Sequence, residues 1–380
     1  MTPSPGMVDV LERFLVSYKT SHRLSPQQAK VINSIQSCRT PALGGRVLAC
    51  ASCGYTRESY HSCRNRHCPQ CQKQASDDWL ARRRENLLPV PYFHLVFTLP
   101  HALNGWVQLH PEVLYPLLFE AVSTTLKRFG RDPRCLDGDI GMTLVLHTWG
   151  QNLSQHVHLH GLVPGGALSR EGDRWHPARS NHLFPVKALS RAYRGLMVSL
   201  LRRAWQASLL FRLKSETEVT AVLDTVMAQP WVVFAKPTQT HTEQVLGYLA
   251  RYTYRIAISD RRLVSVDEHG VCFRWKDYRN KGSAGSMFLT GEEFLRRWLM
   301  HVLPTGLMRV RHYGFLANCY RREKLQRIRD CLREDHVSPP RRVRNQPVEP
   351  VQAPACFACP RCREGMLRVT SEIERRRCSG

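Results

Sequence analysis

The spacing of hydrophobic positions changes several times along the chain, and each change predicts an element. Residues 1–37 read as helix. Val31, Ile32 and Ile35 repeat at helical spacing, and Ser25-Pro26 reads as an N-cap followed by a first-turn proline. Residues 38–74 form a loop-rich block, and 75–88 return to helix until Pro89 and Pro91 stop it. Tyr92–Leu99 (YFHLVFTL) is aromatic and β-branched, and predicts a buried strand. Helices are expected over 111–129 and 186–217. Thr143–Gln151 and Gln155–Val163 predict a hairpin across Asn152-Leu153-Ser154. Val219–Met227 and Trp231–Phe234 read as strands, Thr242–Tyr254 as a helix and Val264–Trp275 as another hairpin. From about residue 291 the chain reads as helical and basic, and 337–355 has a linker composition rich in Pro and Arg. Interleaved antiparallel strands and helices indicate an α+β fold, a central antiparallel sheet with flanking helices. The expected units are 1–88, 89–290, 291–336 and 337–380.

Composition narrows the function. Hydrophobic residues are 43% of 380 and charged residues 23%, which excludes wholesale disorder. Lys plus Arg number 55 against 31 Asp plus Glu, a net +24. Such a surplus repels itself, and a polyanion relieves it, with nucleic acid ahead of a membrane surface. No apolar run reaches the roughly 18 residues of a spanning helix, and the first 20 residues lack a signal-peptide h-region. A cytosolic protein without membrane association is expected. Its 14 cysteines then read as metal ligands before disulfides.

Cys50-Ala-Ser-Cys53 and Cys68-Pro-Gln-Cys71 are separated by 14 residues. Two such pairs predict one tetrahedral thiolate site for structural Zn²⁺, with His61, Cys63 and His67 as substitute ligands. Arg57, Arg64, Arg66 and Lys73 surround it with positive charge suited to DNA. The tail holds Cys356, Cys359 and Cys362, a zinc-like spacing one ligand short, which Cys378 completes unless these cysteines are incidental.

Gln155-His156-Val157-His158-Leu159-His160 alternates polar and apolar residues. On a strand the three imidazoles share one face and Val157 and Leu159 face the core. Two imidazoles two positions apart predict a bidentate clamp for a catalytic divalent ion, with Gln151, His156 or His147 as third ligand. Downstream, Tyr248 and Tyr252 lie at i and i+4 of the expected helix, so their hydroxyls share a face. Beside a metal that neutralises a phosphate, a tyrosine becomes a nucleophile that forms a covalent phosphotyrosine. Lys236 and Arg251 join Arg64 and Arg66 as expected DNA contacts. Trp231, Phe234, Trp275 and Tyr278 are candidates for stacking on unpaired bases, although Trp231 and Phe234 read more as core.

Six segments carry a resemblance: SCRNRHCPQCQ (62–72), HLVFTLP (94–100), HTWGQNLSQHVHLHGLVPGG (147–166), WVVFAKP (231–237), EQVLGYLARYTYRIAIS (243–259) and LPTGLMRVRHYGFLA (303–317). With them the chain resembles the rolling-circle, two-tyrosine transposases of the insertion-sequence family numbered ninety-one, in the HUH endonuclease superfamily. The resemblance implies a zinc-binding N-terminal domain before an HUH/RRM-like catalytic domain. It implies Mg²⁺ or Mn²⁺ on His158 and His160, with Tyr248 and Tyr252 as nucleophiles. It also implies single-stranded transposon ends and target DNA as partners, in the cytoplasm of a bacterium at the nucleoid. Tyr254 stands where the family pattern Tyr-Thr-His-Arg has histidine. Three other readings compete: a replication initiator or relaxase of the same chemistry, a tyrosine recombinase without metal, and a non-catalytic zinc-dependent DNA-binding regulator.

Overall fold

The expected N-terminal helix divides into α1 (Met7–Ser21) and α2 (Pro26–Gln36). Ser25 caps α2 as its sequence predicts: its hydroxyl accepts from the Gln28 N–H at 3.2 Å, and the Gln28 side chain accepts from the Ser25 N–H at 2.9 Å. The computed structural model describes residues 4–179, 181–238, 247, 255–277, 283–334 and 357–375. Strands β1 (Gly45–Cys50) and β2 (Thr56–Tyr60) form a ribbon, and α3 (Gln72–Arg84) leads to β3 (Tyr92–Thr98). Next come α4 (Asn104–Leu109), α5 (Pro111–Arg131), β4 (Gly141–Trp149) and β5 (Gln155–Pro164). Short strands β6 (Gly166–Leu168) and β7 (Trp175–Pro177) precede α6 (Val186–Gln206), α7 (Glu216–Ala228) and β8 (Val233–Pro237). Strands β9 (Leu263–Val266), β10 (Gly270–Asp277) and β11 (Ser283–Thr290) follow, then α8 (Gly291–Leu299), β12 (Val310–Gly314) and α9 (Arg321–Glu334). The described chain ends on β13 (Phe357–Ala358) and β14 (Met366–Ile373).

The protein is α+β around a five-stranded antiparallel sheet in the order β12-β4-β5-β3-β8. Period-two alternation gives the sheet two different faces. On one, Phe93, Leu95, Phe97, Met142, Leu144, Leu146, Val157 and Leu159 are buried against Leu118, Phe119 and Val122 of α5 and Tyr193, Met197 and Leu201 of α6. The other face carries the histidines. The predicted hairpin is β4–β5, with a register irregularity between His147 and Trp149.

Several expectations need correction. Residues 219–227 are helix, not strand. Val219, Leu223 and Val226 are buried on one helical stripe, and Ser215 caps α7 by accepting from the Glu218 N–H. The β-branched content suggested a strand, but cap and stripe outweigh it. The expected 186–217 helix ends at Gln206, just before Ser208 with φ of 57°. The strand expected at Trp231–Phe234 lies two or three residues later, because Trp231 is anchored in the core by its indole N–H on the Val226 carbonyl at 2.7 Å. The 291–336 stretch, expected to be helical, supplies β12 to the central sheet. Residues 357–375 pair with the N-terminal ribbon in a sheet of order β13-β14-β1-β2.

A second core joins distant segments. Val10, Phe14 and Ile32 of α1 and α2 pack with Phe273 of β10 and Phe294 and Trp298 of α8, and Cys38, Cys68, Cys71 and Trp149 belong to the same cluster. The cysteine block thus rests on the same hydrophobic mass as the start of the β4–β5 turn.

Candidate active site and metal centres

The β4–β5 register sets His147 opposite His158 and Val145 opposite His160. One face therefore presents His147, His158 and His160, whose ligand nitrogens all lie within 4.8 Å of one another. The Nε2 atoms of His158 and His160 are 3.1 Å apart. His158 Nδ1 lies 2.8 Å from its acceptor, the His156 carbonyl oxygen, so Nδ1 carries the proton and Nε2 keeps its lone pair toward His160. His94, on β3, places Nε2 at 2.9 Å from His160 Nδ1 and orients that ring from behind.

Burial holds His94, His158 and His160 neutral. It is the main cause bringing His158 down to about 3 and His94 to about 4, and His160 is lowered as well. The Arg255 charge adds to the depression at His158 and His160. Neutral imidazole is the ligand form, so the convergent nitrogens of His147, His158 and His160 fit a divalent ion.

The side chain that the structure groups with His158 and His160 is His147, and not Gln151 or His156. Gln151 lies past the register irregularity, in the turn, where its carbonyl accepts from Arg262 Nη2. His156 is half-buried and its ring stacks at 5.5 Å on His101. Neither belongs to the three-histidine group. Tyr248, Tyr252, Tyr254 and Arg251 fall outside the described residues, as do Tyr278 and Arg279. Arg255 follows that segment directly.

Edge strand β8 extends the histidine face. Its Lys236 pairs with His94 and its Phe234 with Val96. Phe234 is 47% exposed and its ring lies 6.3 Å from His94, so it is a surface platform where core was expected. Lys236 is exposed beside it, and Trp275 is half-buried against the second core.

The four predicted zinc cysteines do not share one site. Cys68 and Cys71 gather with Cys38 and Cys63, and Cys50 and Cys53 gather with Cys359 and Cys362. In the first group Cys71 Sγ is 3.6 Å from Cys38 Sγ and 3.7 Å from Cys63 Sγ. Zn–S bonds of about 2.3 Å place tetrahedral sulfurs about 3.8 Å apart, so the separations suit a shared ion. Burial raises the Cys63 thiol to about 12 and raises Cys68 too, and a cation lets all four ionise. Arg39 and Arg64, after Cys38 and Cys63, have φ of 58° and 52° and turn the chain around the sulfurs. The repeated tripeptide Ser-Cys-Arg at 37–39 and 62–64 is the sequence signal for these two ligands, and the loop-rich reading passed over Cys38.

Comparison with known proteins is consistent with this geometry. A family model described as "Transposase zinc-binding domain" matches residues 10–99, and one described as "Putative transposase" matches 141–324. The chain is 42% identical over 381 residues to "Putative transposase y4qJ" of Sinorhizobium fredii, across 97% of this chain and 95% of that protein. It is 26% identical over 320 residues to "Transposase for insertion sequence element IS801" of Pseudomonas savastanoi pv. phaseolicola, across 80% and 74% of the two chains. The chain belongs to the rolling-circle transposases of insertion-sequence family ninety-one. No solved structure matches it significantly.

In this transposase the first cysteine group lies wholly inside the matched zinc-binding span and fits a structural Zn²⁺. Four thiolates leave no open position, so that ion supports the fold and not the chemistry. The two arginines expected to contact DNA from this block differ. Arg64 is exposed, whereas Arg66 is half-buried and donates to the backbone carbonyls of Pro304 and Leu307. Arg66 thus ties the zinc-binding block to the approach to β12. Among the described residues no helix is long and apolar enough to cross a membrane.

Proposed function

We propose that the transposase nicks and rejoins single-stranded DNA at transposon ends through a covalent 5′-phosphotyrosine. The observation that carries this is the group of three convergent imidazoles, buried His147 and His158 and half-buried His160, on one sheet face beside exposed Phe234 and Lys236. A divalent ion held by those nitrogens supplies positive charge to the phosphate under attack. The all-nitrogen set favours Mn²⁺ over Mg²⁺, which prefers oxygen ligands.

In this reading Tyr248 or Tyr252 gives up its phenolic proton and its oxygen bonds to phosphorus. The P–O3′ bond breaks, and the leaving oxygen takes a proton to become a free 3′-OH. The tyrosine ester keeps the energy of the phosphodiester for rejoining. Arg255 adds fixed positive charge near the histidines, His94 orients His160, and Phe234 stacks on an unpaired base. The basic surface of a chain with net +24 supplies sequence-independent affinity for the strand. Two tyrosines four residues apart, about 6 Å along a helix, let one hydroxyl hold the first strand while the other makes the second cut.

The test is incubation of the purified protein with end-labelled single-stranded DNA in Mn²⁺, followed by a denaturing gel. A protein-linked band that chelator abolishes is the expected result. No linked band with any divalent ion, or a band indifferent to chelator, overturns the proposal.

A further inference from the structure

The second cysteine group joins the two ends of the described chain. Strand β14 pairs antiparallel with β1 from Gly45↔Ile373 to Cys50↔Leu367. Cys50 and Cys53 thereby meet Cys359 and Cys362, although Cys53 and Cys359 are 306 positions apart in sequence. Cys53 Sγ lies 3.6 Å from Cys359 Sγ, and Cys50 Sγ 3.8 Å from Cys362 Sγ. A disulfide needs about 2.05 Å, whereas the edge of a zinc tetrahedron is about 3.8 Å. All four are free cysteines.

The two Cys-x-x-Cys turns are built alike. Gly54 follows the first pair with φ of 69° and donates its N–H to the Cys50 carbonyl at 3.0 Å. Arg363 follows the second with φ of 62° and donates to the Cys359 carbonyl at 2.9 Å. The Cys50 N–H reaches the Tyr55 carbonyl at 2.9 Å, and the Cys359 N–H reaches the Gly365 carbonyl at 2.8 Å. Gly365 also points its N–H at Cys362 Sγ, at 3.3 Å. A Cβ at Gly365 would lie 2.4 Å from Cys50 Sγ, so the two turns close tightly around the sulfurs.

Apolar burial does not hold this module together. Its buried cluster is Leu48, Cys50, Cys359 and Leu367, and β2 and β14 are mostly exposed. Two leucines are too small an apolar core to order four strands by themselves. Small modules of this kind need a staple.

We propose that Cys50, Cys53, Cys359 and Cys362 hold a second structural Zn²⁺, which fastens the C-terminal ribbon to the N-terminal one. Cys359 and Cys362 lie outside both matched family spans. The same arrangement explains the three-cysteine spacing of the tail. Cys359 and Cys362 pair with an N-terminal partner and need no further tail cysteine, and Cys356 and Cys378 lie outside the described residues.

The test is zinc counting on the purified full-length chain by elemental analysis, which needs no DNA and so stands apart from the catalytic proposal. Wild type should hold two zinc ions per chain. The Cys359→Ser/Cys362→Ser double variant should hold one, and limited proteolysis should then remove its tail while the rest stays protected. Cys50→Ser, on the opposite ribbon, should also lose one. Cobalt substitution is the independent check: the tetrahedral thiolate absorption of wild type should fall by about half in the tail variant. One zinc in wild type, two in the tail variant, a disulfide pair without metal, or a tail that stays protected after the zinc is gone overturns the proposal.

Discussion

The histidine face and the cysteine groups both gather ligands, but by different means. His158 and His160 sit two residues apart on one strand, and His147 sits across from His158 on its hairpin partner. Strand period and pairing put them together with little help from the rest of the protein. Each cysteine group is instead assembled from separated segments: Cys38 and Cys63 join Cys68 and Cys71, while Cys50 and Cys53 join Cys359 and Cys362. Sequence proximity is a reliable guide where the backbone fixes side-chain direction. It misleads where closure depends on how segments pack.

The largest effect should separate the two cysteine groups from each other. Cys71→Ser should remove the first zinc and loosen the core around α1, α2 and α8, because that sulfur lies inside it. Loss of near-UV circular dichroism together with one zinc is expected. Full zinc content with an unchanged spectrum would reassign the ligand.

On the histidine face, His158→Ala with His160→Ala should lower cleavage by about 10³-fold or more and leave folding and DNA binding nearly intact. The measurement is single-turnover nicking beside a thermal melt. Nicking at the wild-type rate in the double variant would remove the metal from the account.

Next come the neighbours of the pair. His147→Ala should cost about 10²-fold in nicking and weaken Mn²⁺ binding, and His94→Ala about 10-fold to 100-fold, rescued in part by His94→Asn. Gln151→Ala and His156→Ala should stay within about threefold. If Gln151→Ala costs more than His147→Ala, the third ligand comes from the turn. The smallest effect belongs to β8. Phe234→Ala should weaken single-stranded DNA by about 1–3 kcal/mol, and Lys236→Ala should lower the salt slope of binding by about one. Affinity that ignores ionic strength would contradict the electrostatic part.

Much of this was legible in the sequence because local rules dominate there. The Ser25 cap, strand β3 and the β4–β5 hairpin follow from capping, composition and period. The helix at 216–228 was missed because Val219, Val222 and Val226 look like strand residues until the cap at Ser215 is weighed with the stripe. His94 was invisible as a partner because its role depends on β3 lying beside β5. Cys38 carried a signal in its repeated Ser-Cys-Arg, but the union of Cys50 with Cys362 is a tertiary fact with no local signature. Phe234 read as core because an edge strand cannot be told from an inner one by composition alone.

The central claim, that the histidine face serves a tyrosine nucleophile, is tested most directly by mapping the DNA-linked peptide. Wild type, Tyr248→Phe, Tyr252→Phe and the double variant are each trapped on single-stranded transposon-end DNA in Mn²⁺, digested, and read by mass spectrometry. The account predicts a linked peptide containing Tyr248 or Tyr252 in wild type. Each single variant should be linked through the remaining tyrosine, and the double variant should not be linked. Linkage through Tyr254 or any other residue in the double variant, or one single variant as inactive as the double, would contradict it.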